Sequence, residues 1–495
     1  MSELFREVLT MHIISVVRSL LLVLTVTLFA GCGASSSLNS SSSLSSDNIN
    51  LIFVSSPDLK YQAAGDVDPD TANLTSQGLR RSLLMASYLK QQVLGAKNVT
   101  AIYTLAPMTH LQNGNKFTDV PDMTAIGYIQ QFALLNQYTM LLDKFSSTYY
   151  TANSYPIEAA YANGAVPDGV AVPTAYCPDC SGLDFKNSGG NNDVLVSGII
   201  NRKKPGYYVF SAPWETVSAL LAAINSQKGY NLAIPVENKD LNQVYALSIP
   251  PSGSASLVTY NSNLNPASTY PWLSSPASGT ACTYLKQGSV NISRIGGVGG
   301  AVVPATINKN QTVYIVRHAE AHPDPNFIFE NGNFVAAGQW RALDLPSALL
   351  GKIRPDMVYS IDPSQWFRGS FNFSYVRPSL TVFPYAIANR LPYYLVSEFQ
   401  IFDANAAKRT SDYFFTDPRF SNKTLLLGWE SQRINPMIKA LIDSYGVSGP
   451  VIPWPGDDYD TVWTVKTDDQ GNLTVSNELC EGIDTTKLPE TAPPF

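Results

Sequence analysis

One sequence plan occurs twice along this chain, and this repetition is the strongest constraint on its fold. Residues 50–57 match residues 310–319, and both short β-branched and aromatic runs are typical of a buried strand. Four further matches follow in the same order: 74–81 with 334–341, 99–104 with 355–360, 208–215 with 425–430, and 234–247 with 452–465. Self-similarity of this kind indicates two copies of one structural unit.

The repeated unit alternates predicted strands with predicted amphipathic helices. Such alternation is typical of a mostly parallel sheet with helices on both faces. We therefore predict an α/β fold with two tandem three-layer α/β/α domains, at residues 50–264 and 310–480. Residues 265–309, rich in Pro, Ser and Gly, are expected to form a linker, and residues 481–495 a C-terminal tail.

Composition excludes two classes of protein. Hydrophobic residues make up 45% of the 495 residues, so the chain can bury large cores and global disorder is excluded. The 33 Lys and Arg residues are outnumbered by 39 Asp and Glu residues, which gives a formal net charge of −6. Nucleic-acid binders are usually basic on one face, so we expect no nucleic-acid partner.

The N-terminus has the pattern of an export signal. Arg18 precedes an apolar run at 20–30, which is too short for a comfortable membrane span. The run ends in Phe29-Ala30-Gly31-Cys32, which resembles the lipobox of bacterial lipoproteins. This resemblance implies a signal peptide at 1–32, a lipid on Cys32 and a place in the bacterial cell envelope, periplasmic or surface-facing. Ordinary cleavage and a single anchoring helix are the alternatives.

A Ser-rich tract at 33–49 then predicts a flexible tether between the membrane and the folded body. Export also permits disulfides among the four cysteines that follow Cys32. Cys177 and Cys180 lie in a loop-like stretch and are expected to form a local staple, and Cys282 is then left to pair with Cys480. A four-cysteine zinc site is the alternative.

The chemistry-bearing motif follows the first strand of the second repeat. The predicted strand at 312–316 ends in Arg317-His318-Ala319-Glu320. Ligands of open α/β sheets lie beyond the carboxyl ends of the strands, so His318 is a candidate nucleophile there. The guanidinium of Arg317 offers a planar fork of donors for phosphate oxygens. Glu320 is expected to be structural, holding the loop or the first arginine.

This Arg-His-x-Glu sequence after a hydrophobic strand resembles the histidine phosphatase superfamily, which has the phosphoglycerate-mutase-like fold. The resemblance extends over the second repeat and implies that His318 accepts a phosphoryl group as phosphohistidine. It implies further that Arg317 and Arg377 bind the phosphate oxygens. Glu398 is the nearest match to the acid that protonates the leaving alkoxide. The chemistry of this family requires neither a metal nor an organic cofactor.

The second repeat departs from the family at the second histidine, which follows a strand near the C-terminus. Trp429-Glu430-Ser431 stands there, and relatives that read Trp-Glu-His would place Ser431 at the histidine, which makes Ser431 a candidate phosphate-binding residue. His322 is a candidate phosphate-binding substitute or a simple loop residue. Two functions follow: an exported, lipid-anchored phosphohydrolase for a phosphorylated small molecule, or a weak or inactive pseudophosphatase that binds phosphate ligands or acts as a scaffold.

The first repeat lacks the motif. Ser55-Ser56 stands in place of Arg-His, Thr124 in place of the second arginine, and Trp214-Glu215 matches Trp429-Glu430 without a histidine after it. We predict a degenerate copy that packs against the second repeat. Binding of an uncharged ligand at Ser55 and Ser56 is the alternative.

Overall fold

The computed structural model describes residues 44–60, 65–107, 121–143, 148–160, 182–183, 185, 191–237, 240–275, 277, 279, 289–296, 300–321, 331–364, 366–368, 372–396, 405–448 and 454–495. Residues Leu44–Phe495 pack as one compact unit. The structure is mixed α/β, with parallel and antiparallel strands in each of its two large sheets. The predicted signal peptide, Cys32 and most of the predicted tether lie outside the described residues.

The first lobe is built around a sheet with the strand order β2-β5-β1-β6-β7. Strands β1 and β2 run parallel to β5, whereas β6 is antiparallel to β1 and β7 is antiparallel to β6. Helices α1 and α2 cover one face, and α3 and α4 cover the other. In chain order the elements are β1 (Ile49–Ser55), α1 (Ser76–Tyr88), β2 (Ala101–Thr104), α2 (Thr124–Leu134), β3 (Tyr138–Asp143), β4 (Thr148–Ala152), α3 (Asn191–Asn201), β5 (Gly206–Ala212), α4 (Trp214–Lys228), β6 (Gln243–Ile249) and β7 (Ser256–Asn261).

The second lobe is built around a sheet with the strand order β13-β10-β14-β9-β15-β16-β8. Its strands from β13 to β9 are parallel, and β15, β16 and β8 are antiparallel to their neighbours. Helices α5 and α6 cover one face, and α7 and α8 cover the other. In chain order the elements are β8 (Asn291–Ile295), β9 (Thr312–Arg317), α5 (Ala336–Ala348), β10 (Met357–Ile361), β11 (Trp366–Arg368), β12 (Asn372–Ser374), α6 (Arg377–Asn389), β13 (Tyr393–Val396), α7 (Ala406–Thr416), β14 (Thr424–Trp429), α8 (Ser431–Ser444), β15 (Thr461–Thr467) and β16 (Leu473–Cys480).

The antiparallel strands of both lobes have a simple origin. Strands β6 and β7 are joined by a short turn, and so are β15 and β16, where Gly471 adopts φ +84°. Two adjacent strands joined by a short turn must run antiparallel, whereas parallel neighbours need a long crossover. This accounts for the pairs β6-β7 and β15-β16, whereas β6 runs antiparallel to β1, and β15 to β9, without a short turn between them.

The two sheets share one strand order. Strands β10-β14-β9-β15-β16 follow the order and directions of β2-β5-β1-β6-β7. The backbone N–H of Ser56 donates to Ala212 O at 2.9 Å, and the N–H of His318 donates to Trp429 O at the same distance. This register makes Ser56 the counterpart of His318. It also corrects the sequence match between Glu215 and Glu430, because the residue after Ala212 is Pro213.

Two segments contain more structure than the sequence suggested. Residues 265–309 were expected to be a linker, but β8 lies within them and pairs with β16. Residues 481–495 were expected to be a tail, but their backbone accepts hydrogen bonds from both lobes. The donors are Ser87 Oγ to Phe495 O at 2.6 Å, Gln131 Nε2 to Pro493 O at 2.8 Å, and Trp340 Nε1 to Thr491 O at 2.8 Å.

The lobes share one apolar core, formed by α1 and α2 on one side and α5 and α6 on the other. Gly127 of α2 lies against the ring of Phe383 of α6, and a Cβ atom built on Gly127 would lie 2.3 Å from Phe383 Cε1. Glycine is therefore required for this close approach of the two helices.

Cys480 is disulfide-bonded, and its partner lies outside the described residues, as do Cys177, Cys180 and Cys282. A disulfide sulfur is not a thiolate ligand, so Cys480 does not fit the alternative of a four-cysteine zinc site. Among the residues that the structure describes, no helix has the length and apolar character needed to cross a membrane.

Candidate active site

The candidate site lies where β9 and β14 end side by side. Arg317 is the last residue of β9 and pairs with Trp429, the last residue of β14, so His318 and Glu430 both follow directly at the carboxyl edge of the sheet. Arg377 is the first residue of α6, which packs over β14. All four polar side chains are buried, with His318 only 2% exposed.

The ring of His318 has a defined orientation. Its Nδ1 lies 2.8 Å from Ala319 O, and its Nε2 lies 3.2 Å from Oε2 of Glu430. A carbonyl oxygen can only accept, so Nδ1 holds a proton and donates it to Ala319 O. The backbone N–H of Ala319 in turn donates to Thr381 Oγ1 at 2.8 Å. Nε2 is therefore the nitrogen that faces the charged cluster.

The two arginines are held in different ways. Arg317 Nη1 donates to the carbonyls of Pro455, Gly456 and Asp458 at 3.3, 2.9 and 3.0 Å. Its guanidinium carbon also lies 4.0 Å from the centre of the Tyr459 ring. Arg377 donates its backbone N–H to Gly332 O at 3.0 Å, and its guanidinium carbon lies 4.9 Å from the centre of the Tyr375 ring. Cation–π contacts of this kind favour a fixed guanidinium plane.

Both arginines keep an unused donor. The Nε atoms of Arg317 and Arg377 are buried and have no hydrogen-bond partner among the described residues. A buried N–H without an acceptor is costly, and the large majority of such groups in proteins are paired. Two unused, positively charged donors in one cluster are suited to an oxyanion.

Glu430 is the carboxylate of the cluster. It accepts hydrogen bonds from Tyr375 Oη and from Ser431 Oγ, and it caps α8 by accepting from the N–H of Gln432 at 3.2 Å. Burial alone would raise the pKa of Glu430, but His318, Arg317 and Tyr375 hold that pKa well below its usual value. Burial lowers the pKa of His318, and Glu430 opposes this shift. A hydrogen bond across the 3.2 Å between Nε2 and Oε2 requires one proton between these two atoms.

The structure brings three predicted site residues together and places a fourth, Ser431, in contact with Glu430. Arg317, His318 and Arg377 form one cluster, because both arginines act electrostatically on His318. Glu430, rather than Ser431, is the residue after β14 that contacts the imidazole, and Ser431 only donates to Glu430. The pairing register of β9 with β14 was the signal that could have identified Glu430.

Sequence reasoning also missed the two tyrosines that face the arginines, and it left the partner of Glu320 open. Glu320 pairs with the fully buried Arg341 at 2.8 Å, and Arg341 contacts Glu481 as well. Glu320 is thus bonded to the side chain of Arg341 and not to that of Arg317. The predicted site residues Glu398 and His322 lie outside the described residues. Within the described part of the chain, no three His, Cys, Asp or Glu side chains are grouped to hold a metal ion.

The first lobe has neutral residues at the matching positions. Ser56 matches His318 by its strand register, and Thr124 begins α2 as Arg377 begins α6. Ser211 Oγ donates to Ala125 O at 2.8 Å, and the matching contact of the second lobe is Gly428 against Pro378 O. Neither Ser56 nor Thr124 is charged, so these two positions supply no counterpart to the imidazole and guanidinium of the second lobe.

The similarity of this chain to known proteins is weak. No protein-family model matches the chain, and no curated protein matches it. Among solved structures, the candidate phosphohistidine phosphatase SixA from Agrobacterium tumefaciens is 15% identical, and the match covers 32% of this chain and 93% of that one with a TM-score of 0.21. The similarity is weak by both identity and TM-score.

Proposed function

We propose that the second lobe binds a phosphomonoester and hydrolyses it through a phosphohistidine at His318. The observation that supports this most directly is the orientation of the imidazole. Its Nδ1 is anchored on Ala319 O and its Nε2 contacts Glu430, while Arg317 and Arg377 each keep a buried Nε–H that has no partner among the described residues. A fixed imidazole beside two cations is the arrangement that phosphoryl transfer to nitrogen requires.

In the first step, the lone pair of His318 Nε2 forms a bond to phosphorus while the bond from phosphorus to the alkoxide oxygen breaks. The alkoxide takes a proton from the carboxyl group of Glu430. In the second step, water attacks phosphorus, the P–N bond breaks, and the water gives its proton back to Glu430. Inorganic phosphate leaves, and both side chains return to their starting states.

Glu430 takes the acid role in this proposal, because its Oε2 is the acceptor nearest to Nε2. The shared proton must lie on the carboxyl group for Nε2 to act as a nucleophile. A bound phosphate dianion would favour this state, since nearby negative charge raises the pKa of a carboxyl group. Substrate binding would thus place the proton on the carboxyl group of Glu430, which leaves Nε2 of His318 with a free lone pair.

The same proposal covers the location of the protein, its substrate and the origin of its two lobes. The lipobox-like Phe29-Ala30-Gly31-Cys32 supports export and a lipid anchor at Cys32, with the protein in the bacterial cell envelope. A phosphorylated small molecule is then the substrate. The matching strand order of the two lobes supports a tandem duplication of a histidine-phosphatase-like unit, with the first copy degenerate.

The test is hydrolysis of p-nitrophenyl phosphate by the full chain in detergent, with His318→Ala as the comparison. We expect turnover in the wild type, loss of at least about a hundredfold in the variant, and an acid-labile phosphoryl group trapped on wild-type protein only. Equal rates for the two proteins, or absence of both turnover and tungstate binding in the wild type, would contradict the proposal.

A phosphate-binding pseudophosphatase is the second candidate, and two observations favour it. The carboxylate of Glu430, next to the position where the resemblance places a second histidine, contacts His318, and its charge repels phosphate. Nη1 of Arg317 also already donates to three backbone carbonyls rather than to a phosphate oxygen. Tungstate binding without turnover or trapped phosphoryl group would select this candidate.

A further inference from the structure

A short loop of the second lobe supports the start of helix α6. The carbonyl of Gly332 accepts the backbone N–H of Arg377 at 3.0 Å. Gly332 adopts φ +75°, and a Cβ atom built on it would lie 1.9 Å from Ser374 O. The loop and the segment that leads into Arg377 are therefore in direct backbone contact, and a shift of one displaces the other.

The asparagines on either side of Gly332 are held by the first lobe. Asn333 Oδ1 accepts from Gln130 Nε2 at 2.9 Å, and Asn333 Nδ2 donates to Tyr155 O at 3.1 Å. Asn331 Nδ2 donates to Ser154 Oγ at 3.1 Å. Both asparagine side chains are buried, so these bonds are sheltered from water.

A second contact between the lobes fixes the other side of the loop. The backbone N–H of Ala159 donates to Ser374 Oγ at 2.9 Å, and Ser374 is fully buried. Ser374 precedes Tyr375, whose hydroxyl donates to Glu430. Contacts from the first lobe thus reach Arg377 through Gly332 and Glu430 through Tyr375.

We infer that the first lobe is a positioning element for the site of the second lobe. Gln130 is its principal positioning residue, because it orients Asn333 and so fixes the loop on which Arg377 rests. This assigns a task to the copy that lacks the Arg-His motif. The inference rests on the proposed function to the extent that the cluster around Arg377 is taken to bind a phosphate-like anion.

The chain offers a matched pair of variants. Gln130 and Gln131 are consecutive, buried residues of α2, each donates one hydrogen bond from Nε2, and each Oε1 lacks a partner among the described residues. Gln131 donates to Pro493 O in the C-terminal segment instead of the loop. Gln130→Leu and Gln131→Leu therefore remove equivalent bonds, and only the first concerns the site.

The primary measurement is tungstate affinity of the full chain by calorimetry. We expect Gln130→Leu to bind tungstate about fivefold more weakly, because Arg377 is then less well positioned before the anion binds, and Gln131→Leu to bind it as the wild type does. Ser154→Ala is a milder second variant and is expected to weaken binding in the same direction if Gln130→Leu does not fold. In a double-mutant cycle with Asn333→Leu, the effect of Gln130→Leu should be less than additive.

A second readout separates this inference from the proposed function. The positive charge of Arg377 contributes to lowering the pKa of His318, so looser placement of Arg377 should raise that pKa in NMR titrations of the imidazole. We expect the rise in Gln130→Leu and not in Gln131→Leu. If the wild type binds no tungstate, the proposed function fails while the titration still decides the inference. Folded Gln130→Leu with wild-type affinity and titration, or equal effects of both variants, would overturn it.

Discussion

Oε2 of Glu430 lies 3.2 Å from Nε2 of His318, at the point where two parallel strands of the second lobe end together. The contact joins a buried carboxylate to an imidazole on which Arg317 and Arg377 also act electrostatically. Under the proposed function, the proton of this pair must lie on the carboxyl group before the imidazole can act as a nucleophile. The cluster thus places a carboxylate that would oppose anion binding beside two guanidinium groups that would favour it.

Glu430→Gln tests whether the carboxylate of Glu430 opposes anion binding. The variant removes one negative charge and keeps an acceptor for Tyr375, so tungstate affinity should rise by about tenfold or more, the effect of a charge a few ångströms away at a moderate dielectric constant. Hydrolysis should fall by about a hundredfold, because the acid is lost. Both are measured against Glu478→Gln, which removes the same charge from an exposed position on β16. Weaker tungstate binding in Glu430→Gln would contradict the assignment.

Glu481 predicts a pH dependence of stability. Burial raises its pKa to about 8, although Arg341 opposes this shift. An unfolded glutamate loses its proton near pH 4, so the folded state holds the extra proton between about pH 4 and 8, and the free energy of unfolding falls as pH rises through this window. We expect a loss of about 2 kcal/mol between pH 6 and 9 in denaturant titrations of the wild type.

Glu481→Gln cannot titrate at this position and is the comparison for that measurement. Its free energy of unfolding should change less between pH 6 and 9 than that of the wild type. An equal slope in both proteins would show that Glu481 is ionised throughout this range in the folded state.

Gly332→Ala tests the contact between the loop and Arg377. The added methyl group would overlap Ser374 O, so we expect a loss of stability of about 3 kcal/mol or more and weaker tungstate binding. Gly351→Ala is the control, because Gly351 has the same φ of +75° and nothing within 4 Å of its built Cβ atom. Its cost should be about 1 kcal/mol of backbone strain alone. Similar thermal shifts for the two variants would argue against a tight contact at Gly332.

Gly127→Ala tests the close approach of the lobes. Its methyl group would meet the ring of Phe383, so we expect destabilisation by about 1–3 kcal/mol, as is usual for overpacking. Gly198→Ala, in α3 with open space around its built Cβ atom, should instead stabilise by about 0.5–1 kcal/mol. Thermal denaturation of both variants measures the difference. A neutral Gly127→Ala would mean that the two helices separate at little cost.

The sequence predicted those parts of the fold that depend on local pattern. Alternating strand and helix patterns indicated an α/β structure, and the Arg-His motif after a strand indicated the edge of the sheet where Arg317 and His318 lie. The contact between Glu430 and His318 could not be predicted, because it depends on how β9 and β14 align. A one-residue shift in such a register reverses which side chain faces the site.

Other parts were beyond reach of the sequence because they depend on contacts between distant residues. The strand β8 spans only Asn291–Ile295, and a run of this length gives little signal until its partner β16 is known. Tyr459 meets Arg317 across more than a hundred residues of chain. The role of Gln130 likewise needed the structure, because a single glutamine in an apolar helix gives no indication of what it binds.

The apolar core that α1, α2, α5 and α6 share has a consequence for evolution as well as for folding. Separating the two lobes would expose an apolar surface on each fragment, and such surfaces promote aggregation in water. A gene that lost the first lobe, which lacks the Arg-His pair, would therefore encode an aggregation-prone fragment rather than a smaller functional protein. Selection for the lobe with the Arg-His pair is therefore enough to preserve the other lobe.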